Sequence, residues 1–289
     1  MQARPAGLQK TCMKKLHVYK YQGAGNDFVI FDNRRGEIVL TPRQIQRICD
    51  RRFGVGADGL MTLSAGGAAA FSMHYYNADG LEGTMCGNGG RCLVAFAALM
   101  GLRRFEFAAC DGMHRAELLE QQGDRSIVRL KMCDVDHVDR LSDGWLLETG
   151  STHFVQWVEN LSTFDVAGEG KRLRWDARFP KGANVNFVEP AADHLAVRTY
   201  ERGVEAETWA CGTGATAAAI ASYLRGDLCH TRSVEDGKER IRFEVRALGG
   251  RLAVDFLAAD GGARDIWLTG PAVKVFETDI DPDQYSSVT

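Results

Sequence analysis

The sequence predicts a mixed α/β (α+β) protein of two pseudo-symmetric domains with a small-molecule site in the cleft between them. Three observations predict it. The chain has 289 residues, which at roughly 150 residues per domain allows about two. Strand-like runs alternate with apolar helical stretches along its whole length. One arrangement also occurs twice: a Gly/Asn turn entering a strand, then a Cys-Gly-x-Gly loop feeding an apolar helix.

The elements follow in order. Leu16 to Tyr21 alternates like a strand, Gly23-Ala24-Gly25-Asn26-Asp27 is a turn, and Phe28 to Phe31 is a short apolar strand. Thr41-Pro42 starts a helix that carries Ile45 and Ile48 on one face. A glycine loop, Gly54 to Gly59, leads to strands at Leu60 to Leu63 and Ser72 to Asn77. Residues 78–90 read as loop, Leu93 to Met100 as an apolar helix, and 105–132 as short strands. In the second half, Phe154 to Val158 alternates. Gly182-Ala183-Asn184-Val185-Asn186 then echoes the first turn, and Val197 to Tyr200 is a strand. Thr213 to Leu224 is an apolar helix stopped near Gly226, followed by strands at Ile241 to Val245, Leu252 to Phe256 and Ile266 to Leu268. The domains are expected at 13–134 and 135–265, with 266–289 returning to the first domain and ending in a flexible tail. Residues 1–12, ahead of a second methionine at Met13, are expected to be a disordered or dispensable extension.

Composition excludes several functions. Lys plus Arg is 35 and Asp plus Glu is 38, a net charge of −3, which argues against a nucleic-acid-binding surface. The longest apolar run, Cys92 to Met100, is far short of the roughly 20 residues that span a membrane. The start of the chain has no apolar core of an export signal, so a cytoplasmic setting is expected. The eight cysteines form no C-x-x-C pair, so reduced thiols and no metal site are expected.

The two loops, Cys86-Gly87-Asn88-Gly89 and Cys211-Gly212-Thr213-Gly214, carry the chemistry. A cysteine just ahead of a helix lies near the positive end of its dipole, which can lower a thiol pKa from about 8.5 toward roughly 3.5–7.5. The glycines let backbone N–H groups approach a carboxylate. One such loop would suggest a nucleophile. Two facing loops make an acid/base pair: one thiolate takes a proton from carbon, the other thiol returns one to the opposite face, and the centre inverts. Asn26, Asn77, Asn88, Asn184 and Thr213 suit an amino-acid ligand, and Glu201-Arg202 offers an acceptor and a carboxylate clamp.

Gly25-Asn26-Asp27-Phe28, Gly54-Val55-Gly56-Ala57-Asp58-Gly59, Asn77-Ala78-Asp79-Gly80, Met85-Cys86-Gly87-Asn88-Gly89-Gly90-Arg91-Cys92, Tyr200-Glu201-Arg202-Gly203 and Ala210-Cys211-Gly212-Thr213-Gly214 occur in one order. From about Met13 to Val275 the chain resembles diaminopimelate epimerase. The resemblance implies two domains, each a mixed sheet around a central helix. It implies interconversion of LL- and meso-diaminopimelate in lysine biosynthesis with no cofactor and no metal. It implies catalytic Cys86 and Cys211, and substrate contacts from Asn26, Asn77, Gly87, Asn88, Asn184, Glu201, Arg202, Gly212 and Thr213. His153 and Glu201 match residues that tune the thiols, and a cytoplasmic homodimer is implied, with Phe276 near the contact. Gly59 stands where many members have Gln, and Ser151-Thr152 where they have Asn-Pro; both positions resemble substrate contacts.

Two rival readings use the same residues. Gly54 to Gly59 and Gly212 to Ala217 match dinucleotide fingerprints by letter. The first follows a helix and precedes a strand, the reverse of the order a nicotinamide oxidoreductase needs. A racemase of another amino acid would share the two-thiol logic.

Overall fold

The computed structural model describes residues 15–235 and 237–286. The expected extension at 1–12, Met13 and Cys12 lie outside them. The first half contains β1 (Leu16–Gly23), β2 (Asn26–Asn33), α1 (Pro42–Cys49), β3 (Gly59–Ser64), β4 (Phe71–Asn77), α2 (Gly87–Leu99), β5 (Glu106–Ala109), β6 (Gly112–Gln122) and β7 (Arg125–Lys131). The second contains β8 (Val138–Arg140), β9 (Trp145–Glu148), β10 (Thr152–Trp157), α3 (Val166–Arg174), β11 (Asn184–Pro190), β12 (Leu195–Glu201), β13 (Ala206–Thr208), α4 (Gly212–Arg225), β14 (His230–Glu235), β15 (Lys238–Ala247) and β16 (Gly250–Ala259). A long strand, β17 (Gly262–Ile280), links them. It pairs with β16 up to Thr269, with β7 at Gly270 to Val273, and with β1 from Val273 to Ile280.

Each half repeats one plan. A parallel strand pair is joined by a crossover that carries a helix: β2, α1, β3 in one half and β10, α3, β11 in the other. An antiparallel strand follows, β4 or β12, and the chain then enters a central helix, α2 or α4. The topology corrects the sequence echo. Asn184 begins β11, whose counterpart is β3, so it corresponds to the start of β3 at Gly59 and not to the Asn26 turn. Short Gly/Asn strings resemble one another by letter because many turns need the same residues.

Local chemistry sets the helix ends. The Thr41 side chain accepts the Gln44 N–H, Gln44 accepts the Thr41 N–H, and Pro42 fills the first helical position of α1. Gly226, with φ +96°, closes α4 and returns its N–H to Ser222. Both central helices are buried along most of their length and mostly apolar, as a helix wrapped by sheet must be. In α2 every residue from Gly87 to Ala98 is buried, and Phe96 alone contributes about 2–3 kcal/mol by leaving water.

Two expectations are corrected. Helix α2 begins at Gly87, one and a half turns before Leu93. Its glycines are helical because tertiary packing leaves no room for more: a Cβ at Gly89 would lie 3.1 Å from the Met61 sulfur, and one at Gly90 3.2 Å from that of Met85. Helix α3 has no counterpart in the sequence reading. Asp165 caps it by accepting the Gly168 N–H, and only Val166, Gly170, Leu173 and Arg174 are buried. So short and polar a helix has little periodicity to detect. Among the described residues no helix is long and apolar enough to cross a membrane.

Candidate active site

Cys86 and Cys211 are the N-caps of α2 and α4. The two helices meet almost head to head. A Cβ on Gly212 would stand 3.8 Å from Gly87 Cα and 2.7 Å from the Leu268 side chain of β17. Only glycine permits that approach, and it aims two positive helix ends at one place. Beside it opens a cleft of about 940 Å³. Both cysteines line it, with Asn26, Asn77, Gly87, Asn88, Asn184, Glu201, Arg202, Gly212 and Thr213. His153 does not; it is fully buried behind Thr213.

The wall behind Cys211 is a directed chain of hydrogen bonds. The Asn186 amide N–H donates to the Phe154 carbonyl at 3.1 Å, which fixes which amide atom is nitrogen. The same nitrogen lies 2.9 Å from His153 Nδ1, so that ring atom accepts and Nε2 carries the proton. Nε2 then donates toward Thr213 Oγ1 at 2.9 Å or Ser151 Oγ at 3.0 Å. Thr213 Oγ1 is 3.3 Å from Cys211 Sγ, which also accepts the Gly214 N–H at 3.4 Å. Burial holds His153 down to about pKa 3, so it is neutral at physiological pH and acts as a donor, not as a charge. Asn186 had a legible signal: Asn184 and Asn186 share one face of a strand.

The thiols themselves differ from the sequence expectation. Burial pushes Cys86 up, against the N–H groups of Gly89 and Asn88, and nearby Glu201 adds to the rise. Burial pushes Cys211 well up, with Glu201 again adding and Thr213 and Gly214 opposing. Desolvation by the surrounding protein outweighs the helix ends, so both groups rest as thiols rather than as the lowered thiolates expected. Glu201 is raised by its own burial, with hydrogen bonds from Thr208 (2.5 Å) and Cys211 drawing it back. It is the acceptor beside Cys211.

Several asparagines turn out to be braced. Asn88 Nδ2 donates across the cleft to the Ala210 carbonyl at 2.7 Å, while its Oδ1 accepts from buried Arg91 at 2.8 Å. Asn184 Nδ2 bonds Ser151 Oγ and the Thr152 carbonyl, and its Oδ1 accepts the Arg202 N–H. Asn26 donates to Asp58 at 2.6 Å and takes a weak Cys86 S–H contact at 3.6 Å. Sequence reasoning missed Arg91, Asp58, Tyr75 and Trp209, of which the last three line the cleft. Tyr75 and Trp209 each stand two residues from a site residue, but alternation along a strand or loop does not say which of them turns its side chain to the cleft.

Among known proteins, residues 18–138 and 145–275 match the family model for diaminopimelate epimerase. The diaminopimelate epimerase of Flavobacterium psychrophilum is 44% identical, covering 92% of this chain and all of that one. That of Chlorobaculum tepidum is also 44% identical, covering 88% and 97%. Among solved structures, a PhzF-family phenazine biosynthesis protein of Bacillus anthracis superposes with a TM-score of 0.69 at 15% identity, covering 93% of this chain and 99% of that one. A probable proline racemase of Agrobacterium radiobacter gives 0.66 at 16% identity, covering 95% and 96%. At such identities they share the fold.

Proposed function

The chain belongs to the diaminopimelate epimerase family, and from that premise we propose that Cys86 and Cys211 invert an α-carbon held between them by taking a proton from one face and returning one to the other. The chain is an amino-acid epimerase, an isomerase of lysine biosynthesis. The observation that carries the two-thiol reading is the head-to-head meeting of α2 and α4 at Gly87 and Gly212, with an N-cap cysteine on each.

The substrate α-carboxylate sits between the two helix ends. N–H groups there stabilise the charge that develops when the α-proton leaves, which is the largest barrier. When Cys211 acts as base, its proton first passes to Glu201, and Thr213 and Gly214 hold the resulting thiolate. When Cys86 acts as acid, its S–H bond supplies the proton to the other face. The carbanion collapses to the inverted configuration. Cys86, left as thiolate, regains a proton from solvent and Glu201 gives one up before the next substrate of the same configuration binds, while the product is converted back by the two thiols in exchanged roles. No electrons leave the system, so no redox cofactor is required. Asn77 and Arg202 hold the remote amino-acid end in this reading, and braced Asn88 and Asn184 contribute by fixing their neighbours.

The test is to incubate the protein with LL-diaminopimelate in D₂O. The meso isomer is expected, with solvent deuterium at the inverted carbon. Inversion that retains the original hydrogen rules out the two-base route. We also infer a cytoplasmic homodimer. Val275 and Phe276, apolar and exposed near the end of β17, support a subunit contact; sedimentation as a monomer at micromolar concentration would refute it.

A further inference from the structure

Tyr75, on β4, lies where two missing side chains would otherwise be. A Cβ at Gly59 would come within 2.5 Å of its Cε2 and 3.0 Å of its Oη, and one at Gly83 within 2.8 Å of its Cε1. The ring meets Phe28 edge to face, with centroids 6.1 Å apart. Packing on three sides therefore sets the direction of its hydroxyl.

The repeat shows what this corner does. In the second half the corresponding position is Asn184, which faces His153 across β10 and β11 and fills the corner with its amide. In the first half Gly59 faces Phe28 across β2 and β3, so position 59 supplies no polar group. Tyr75 occupies that space from the neighbouring strand, and it lines the cleft. Among the described residues its hydroxyl has no hydrogen-bond partner. Tyr75 is partly buried and faces the cleft, so its O–H is left to donate into the cleft. Burial above all, and then the acids Cys86, Asp58, Cys49 and Glu201 whose fields reach it, keep the phenol protonated. Asp58 already accepts from Asn26 and Arg51. What the corner lacks is a donor's target, and a diamino acid brings carboxylates.

We propose that the Tyr75 hydroxyl donates a hydrogen bond to a carboxylate oxygen of the bound diamino acid and so helps set substrate specificity. The assignment rests on the family reading above. It makes Tyr75 a binding residue that interacts equally with ground and transition states, because the proton transfer occurs at the sulfurs.

Tyr75→Phe keeps the ring packing and removes only the hydroxyl. KM for LL-diaminopimelate is expected to rise about tenfold while kcat stays within about twofold. Gly59→Ala keeps the hydroxyl but takes the space of the ring, and is expected to raise KM in the same way. If the wild-type protein turns over diaminopimelate and Tyr75→Phe leaves KM unchanged, the Tyr75 assignment is wrong and the family reaction stands. If Tyr75→Phe lowers kcat a hundredfold at unchanged KM, the hydroxyl acts in the chemistry and the binding assignment is wrong. A wild-type protein inactive on both isomers overturns the reading and the assignment together.

Discussion

Cys211→Ala and Cys86→Ala are each expected to lower epimerisation by about 10³-fold or more, because each removes one of two proton-transfer groups and no neighbouring side chain can replace a sulfur at that spot. The fold should survive. Each cysteine is an N-cap whose helix is held by packing on every side, so losing a half-buried sulfur is worth about 1 kcal/mol, or a shift in melting temperature of roughly 4 °C at most. Circular dichroism and initial rates in both directions make the comparison. The raised thiols add a pH signature. A group whose pKa is pushed up becomes a base only as pH rises, so kcat/KM of the wild type is expected to keep climbing as pH rises past the ordinary thiol range of about 8.5 instead of levelling off there. Either alanine variant retaining a tenth of the wild-type rate would sink the two-thiol scheme.

The second large effect is complete loss of activity on treatment with diamide or hydrogen peroxide, reversed by dithiothreitol. A Cβ built on Gly87 or Gly212, the residues that follow the two cysteines, would stand within 4 Å of the other's Cα, so the helix starts are close enough that the sulfurs are expected to join across the cleft once substrate is absent. Attack requires thiolate, so inactivation should be faster at pH 9 than at pH 7. Cys110 and Cys133 are exposed and will also react, whereas Cys49, Cys92 and Cys229 are buried. The variant lacking the two thiols exposed among the described residues, Cys110→Ser with Cys133→Ser, should therefore inactivate like the wild type. Mass spectrometry should find a peptide linking Cys86 to Cys211. Oxidised protein that keeps full activity, or inactivation that disappears in that double variant, would mean the site sulfurs do not pair.

Sequence alone determined what depends on near neighbours in the chain. Thr41, Pro42 and Gln44 state the start of α1, Gly226 states the end of α4, and the two Cys-Gly-x-Gly strings place a thiol at the head of an apolar helix whatever surrounds it. The ordered motifs, through their family resemblance, also named Asn26, Asn77, Asn184 and Arg202 in the cleft, but not Asp58, Tyr75 or Trp209. Tertiary structure decided the rest. Helix α2 extends back through three glycines where Leu268, Met61 and Leu130, all from distant segments, leave little room for a side chain. The thiols rest protonated because residues from both halves of the fold pack around them, which no motif states. His153 gets its tautomer from Asn186, and the vacant corner at Gly59 gets its hydroxyl from Tyr75, because strands far apart in sequence lie side by side in the sheet. Capping and turn formation act over a few residues, whereas desolvation and packing sum over everything that folds around a group.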